Sequence, residues 1–235
     1  NSFTPANDGT FVFGASGGTQ TYNGGLTTTS VSGTVTLNGT IATSNDAVVL
    51  GAITLGSATT VDTNATNTTG DITIGAVTGN NNNLTLDTTT STGSADHTFT
   101  GDINLGSGAL SVTGDVVLGA NVTVSGDGII FSDAVNADNA TNNDRTLTLN
   151  SSRASSGGSP SIAFSGAVGN SQALAGLTIT QSNGTNFLST VDVSDSNSGT
   201  ITLTDTQDNK DIFFFGDVTA DAFVTAAQGY DIFFS

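Results

Sequence analysis

The chain has 235 residues and a formal net charge of −17, with 20 acidic residues, all Asp, opposed only by Arg145, Arg153 and Lys210. Such a surface repels nucleic acid and anionic membrane, and the absence of Cys excludes disulfides and thiolate metal sites. Glu and Met are missing and Lys and Arg scarce, whereas β-branched Thr, Val and Ile abound, which excludes a helical fold and predicts an all-β one.

The chain opens at Asn1 with neither Met nor a signal-like apolar run, and is expected to be a segment or processed form of a larger protein. Aromatic residues gather early, at Phe3, Phe11, Phe13 and Tyr22. Apolar-polar-apolar triplets follow: Val35-Thr36-Leu37, Ile53-Thr54-Leu55 and Ile72-Thr73-Ile74, whose starts lie 18 and 19 residues apart. Leu84-Thr85-Leu86, Ile103-Asn104-Leu105 and Val122-Thr123-Val124 then succeed one another at steps of 19. In each triplet the alternation sends the outer two side chains inward and the middle one to solvent. Read as one series, they stack Ile53, Ile72 and Leu84 inside and make an outward ladder of Thr36, Thr54 and Thr73.

Leu110-Ser111-Val112 and Ile129-Ile130-Phe131 repeat the 19-residue step, with Val116-Val117-Leu118 between the two series, so three short strands fill each period. A turn of this size cannot bury its own apolar face and must stack on its neighbours. The prediction is a right-handed parallel β-helix, a β-solenoid with turns of about 19–20 residues, over one domain spanning residues 1–235. Gly70-Asp71, Gly101-Asp102, Gly114-Asp115 and Gly216-Asp217 read as corners, with Gly at φ > 0 and Asp bonding its own backbone. Asp138 to Arg145 and Ala154 to Pro160 read as loops protruding from one solenoid.

Ile162-Ala163-Phe164-Ser165-Gly166-Ala167-Val168-Gly169, followed by Ala173-Leu174-Ala175-Gly176-Leu177-Thr178-Ile179, resembles the repeats of bacterial haemagglutinin-like adhesins and autotransporter passengers. The Gly-Asp-Ile-Thr-Ile run from Gly70 and the Gly-Asp-Ile-Asn-Leu run from Gly101 look similar to the same repeats. The resemblance implies secretion through the outer membrane and a parallel β-helix, and it names no receptor.

Chemistry is sparse. His97, the only imidazole, is expected at the surface in a polar corner, and three cations are too few for a β-helix enzyme cleaving acidic polysaccharide. No catalytic, cofactor or metal residue is assigned. Asp133, Asp138 and Asp144, and Asp192, Asp195, Asp205, Asp208 and Asp211, form acidic loops that read as solvated turns, with Ca²⁺ the alternative and no ligand set defined.

At the C-terminus Asp211-Ile212-Phe213-Phe214 recurs as Asp231-Ile232-Phe233-Phe234 after 20 residues, which stacks like on like. Phe213, Phe214, Tyr230, Ile232, Phe233 and Phe234 are therefore the candidate assembly interface, since the last rung is a strand edge rich in apolar groups. The expected function is a non-catalytic structural or adhesive segment, extracellular or at the cell surface, meeting other copies of itself, the continuing chain, or host or biofilm components. The alternative is a subunit of a filament built end to end.

Overall fold

The computed structural model describes residues 2–63, 69–88, 96–138, 145–152, 160–195 and 199–235. Every regular element among them is a β-strand, most of two to six residues. Strand partners are parallel and lie one turn apart in sequence, as in Phe11–Phe13 on Val35–Ala42 and Asp211–Phe214 on Asp231–Phe234. Parallel neighbours cannot be joined by a hairpin, so the chain travels round the other faces before returning. The result is the expected parallel β-solenoid.

Three faces wrap the core. The first carries Leu26–Thr27, Val48–Leu50, Ile72–Ile74, His97–Phe99, Val116–Leu118 and Val135–Ala137, then Val168 as a single bridge, then Val191–Val193 and Val218–Ala220. On the second, a ladder runs from Phe11 through Val35, Ile53, Val77, Ile103 and Val124 to Leu149, Ile179, Leu203 and Thr225. The third runs from Thr19–Thr21 to Asp231–Phe234. Two long strands, Val35–Ala42 and Ile53–Asp62, turn the corner between the second and third faces, with a shift in register between Leu37 and Gly39.

The 19-residue step holds where expected: Leu110 pairs with Ile129, 19 residues on, and His97 with Val116 and Val116 with Val135 likewise. Elsewhere turns lengthen, and Ile129 meets Ile162 only after 33 residues. The loops read at Asp138–Arg145 and Ala154–Pro160 fall in these longer stretches, and their residues 139–144 and 154–159 lie outside the described part. The ladders close up on either side of them.

Ile53, Ile72 and Leu84 are inside, at 3%, 0% and 0% exposure, but they belong to three different faces rather than one stack. All faces use the same inward alternation, so a triplet identifies a strand without saying which face it joins. The Thr ladder changes accordingly. Thr36 and Thr54 continue to Thr78 and then Asn104, whereas Thr73 lies between Val49 and Thr98 on the first face. The column through Asn104 goes on to Ser125, and a separate Thr column of the same face, beginning two residues earlier, runs through Thr123, Thr148, Thr178 and Thr202.

Corner chemistry departs from expectation. Of the four Gly-Asp corners only Gly114 has a left-handed φ, 114°. Gly101 and Gly216 are required for another reason: a Cβ would lie 2.6 Å from the Ala76 nitrogen and 2.6 Å from the Ser189 carbonyl carbon of the preceding turn. Three of the Asp side chains reach across to a neighbouring turn. Asp71 Oδ1 accepts the Asp96 N–H at 3.1 Å, Asp102 Oδ1 the Thr123 N–H at 2.7 Å and Asp115 Oδ1 the Ala134 N–H at 2.9 Å. A single methylene keeps the carboxylate close to its own corner, which accounts for Asp without Glu.

Inside, aromatic rings form a column along the axis. Phe131, Phe164, Phe187 and Phe214 stack at centroid spacings of 5.0, 4.9 and 4.7 Å, with interplanar angles of 17°, 11° and 5°. The spacing is that of neighbouring strands in a sheet, about 4.8 Å, so the ladder itself sets the ring stacking. Phe187 is fully buried between two rings. Phe187→Ala is expected to lower stability by about 3–5 kcal/mol in urea unfolding, because neighbours locked in strands cannot collapse into the cavity. A loss under about 1 kcal/mol would contradict a close-packed column.

Candidate functional site

The first and last described turns are built differently. At the first turn Phe3 bridges Leu26, lies 5.3 Å from Tyr22 with rings 18° apart, and packs against Phe11 and Phe13 at 6.0 and 6.4 Å. Tyr22 in turn meets Phe13 at 5.9 Å, edge to face, and Phe13 is buried beneath the group. These early aromatics satisfy one another and cover the core.

The last turn has no such cover. All four side chains of Ala222–Thr225 are exposed, and so are three of the four in Asp231–Phe234. Phe234 extends the interior column, 5.0 Å from Phe214 and nearly parallel to it at 9°, yet it is 59% exposed. Beside it Phe223 approaches Phe234 and Phe214 edge-on at 5.7 and 6.0 Å. Val218, Ala220, Phe223 and Phe234, together with Gly216, Asp217 and Ser235, line an open cavity of about 540 Å³.

The six sequence-predicted interface residues divide into three groups. Phe214 is inside, 1% exposed and capped by Phe234, so it supports the end without being presented. Ile232 and Tyr230 are half-buried, and the Tyr230 hydroxyl donates to the Leu203 carbonyl at 3.0 Å. Phe213 and Phe233 stack at 4.9 Å, but alternation puts them on the outer surface, so this pair is not core stacking. Phe215, 5.6 Å from Phe213, widens that outer patch.

Sequence reasoning left Phe223, Val218 and Ala220 out of the candidate set. The strand alternation in Ala222–Thr225 was the available signal, since it turns Phe223 inward beside the Ile-Phe-Phe repeat.

His97 is a correction. It is fully buried on the first face, stacked between Ile72 and Val116, because the strand His97–Phe99 uses position 97 as an inward one. Its Nε2 donates to the Thr113 carbonyl at 2.9 Å and lies 3.2 Å from Thr88 Oγ1. A carbonyl only accepts, so Nε2 carries the proton and Nδ1 is the bare nitrogen, with no hydrogen-bond partner among the described residues. Burial pushes this imidazole below its ordinary range. At the adjoining corner burial, then Asp115 and Asp71, push the Asp96 carboxyl up.

Three side chains of the acidic loops are engaged locally. Asp133 Oδ2 accepts the Gly114 N–H at 2.8 Å, Asp192 bonds the Ser194 hydroxyl, and Asp138 takes a two-point contact from Arg145, Nη2 to Oδ2 at 2.7 Å and Nε to Oδ1 at 3.1 Å. Asp144 lies outside the described residues. Among those described, no three His, Cys, Asp or Glu side chains gather as a metal ion would require.

Phe233→Asp with Phe234→Asp is expected to leave the far-UV circular dichroism and the unfolding midpoint of the preceding turns nearly unchanged, since both rings are largely exposed and solenoid stability is nearest-neighbour. The same double variant is expected to lose the binding of an apolar dye that the open end supports. Unaltered dye binding would place the apolar surface elsewhere. Comparisons with family models, with curated proteins and with solved structures return no match, so the reading of this end rests on its own geometry.

Proposed function

We propose that this chain is a non-catalytic structural or adhesive β-solenoid of a bacterial cell-surface or secreted protein, working outside the cell. The observation that carries the reading is the contrast between the first and last described turns, an aromatic cluster packed on itself at one and an exposed apolar rung at the other. Between them three ladders of parallel strands make a rod whose length and stiffness come from backbone pairing. The net charge of −17 keeps such a rod soluble and apart from anionic surfaces while leaving neutral contacts available. The likeness of residues 162–179 to adhesin and autotransporter repeats agrees with this reading.

The buried imidazole and the committed acidic side chains support a non-catalytic role. Asp138 and Arg145 hold one another, His97 faces the core, and the corner Asp residues tie adjacent turns together. The partners in this reading are neighbouring turns: the continuing chain, or a second copy, seated on Phe223 and Phe234.

The exposed Phe234 at the end of the ring column favours a second reading, a subunit of an extracellular filament. An incoming rung with an aromatic side chain there extends the column at the same spacing. Burying each ring is worth on the order of 1.5–3 kcal/mol. Negative-stain electron microscopy of the purified chain separates the two readings: isolated short rods are expected for a stalk segment, end-to-end threads for a filament. Round particles with no long axis would contradict both.

A further inference from the structure

His97 occupies a column that is otherwise aliphatic. The inward position it fills on the first face is held by Leu26, Val48 and Ile72 before it, and by Val116, Val135 and Val168 after it. A titratable ring in that column, with one nitrogen unpartnered, weakens the turn that contains it. We propose that His97 is a proton-operated weak point of the solenoid: uptake of a proton at Nδ1 loosens the three adjoining rungs Ile72–Ile74, His97–Phe99 and Val116–Leu118 of the first face, while turns further along the axis stay formed.

The geometry gives the mechanism. With Nε2–H already committed to the Thr113 carbonyl, a new proton can go only to Nδ1, which lies buried with no hydrogen-bond partner among the described residues. Protonation therefore places both a charge and an unpaired N–H in the core. The charged groups facing the ring are all acidic: Asp87 from the third face, Asp115 from the next turn and Asp133 from the turn after. Asp71 and Asp96 stand at the corners preceding their strands. These carboxylates draw the imidazole's affinity for protons back up, but burial outweighs them.

The direction of the pH effect follows. An imidazole with a lowered folded-state value contributes stability that is complete above the ordinary range near 6.5 and is lost as pH falls below it. Asp96 acts in the opposite sense, because its raised value makes acid favour the folded state at that corner. Solenoid coupling is nearest-neighbour, so the loosening stays local.

The test compares the full chain with His97→Val, which installs the residue of the next two rungs. Urea unfolding at pH 7.5, 6.5, 5.5 and 5.0 is expected to show the variant more stable, with a gap that widens below pH 6.5 by up to about tenfold in the folding equilibrium constant per pH unit. A gap independent of pH would overturn the proposal. Hydrogen exchange of the unaltered chain supplies a second readout that needs no variant. After correction for intrinsic exchange, protection at 72–74, 97–99 and 116–118 is expected to fall between pH 7.5 and 5.5, with 177–181 and 200–203 unchanged. Uniform loss along the chain, or no loss at all, would also overturn it.

Discussion

Everything in this molecule depends on one constraint: a strand of three residues has no partner within its own turn. Its N–H and C=O groups and its two inward side chains are satisfied only by the turn before and the turn after. Once Leu110 is set opposite Ile129, Ser111 and Val112 must meet Ile130 and Phe131. Register is then inherited rung by rung, and the spacing of the backbone becomes the spacing of the side chains. The column from Phe131 to Phe214 expresses that inheritance, with rings held near 5 Å because the strands are.

The same constraint organises the polar residues. At a corner the chain leaves the ladder, and its backbone groups lose their regular partners. Asp71, Asp102 and Asp115 accept N–H groups from the following turn, while Asn83 and Asn121 do the same for Ala109 and Thr146. Stacked carboxylates repel, and at Asp96 the neighbouring Asp115 and Asp71 add to burial, the larger cause, in raising its carboxyl. The corners thus gain hydrogen bonds at the cost of accumulating negative charge, and the −17 of the whole chain is partly a by-product of how its turns are tied.

Much of the fold was legible in the sequence, for a definite reason. Alternation reports which side chains point inward, so Ile53, Ile72 and Leu84 were placed in the core correctly. It does not report which face a strand joins, because Ile72-Thr73-Ile74 and Ile53-Thr54-Leu55 look alike while pairing on different faces. His97 was misjudged because a lone polar residue in a polar stretch reads as exposed. The strand phase set by Phe99 turns it inward all the same. At the C-terminus the Ile-Phe-Phe repeat located the open end, but the distinction between Phe233 outside and Phe234 above the core needed the strand's orientation.

The central claim is the rung-by-rung register, and it fixes distances between residues remote in sequence. Thr36 and Ser125 stand in one outward column, joined through Thr54, Thr78 and Asn104. Four strand spacings separate them, about 19 Å. Double electron–electron resonance between spin labels at Thr36→Cys and Ser125→Cys is predicted to give one narrow distribution near that distance, allowing for the label arms. A broad distribution, or a maximum beyond about twice that value, would contradict a single continuous solenoid.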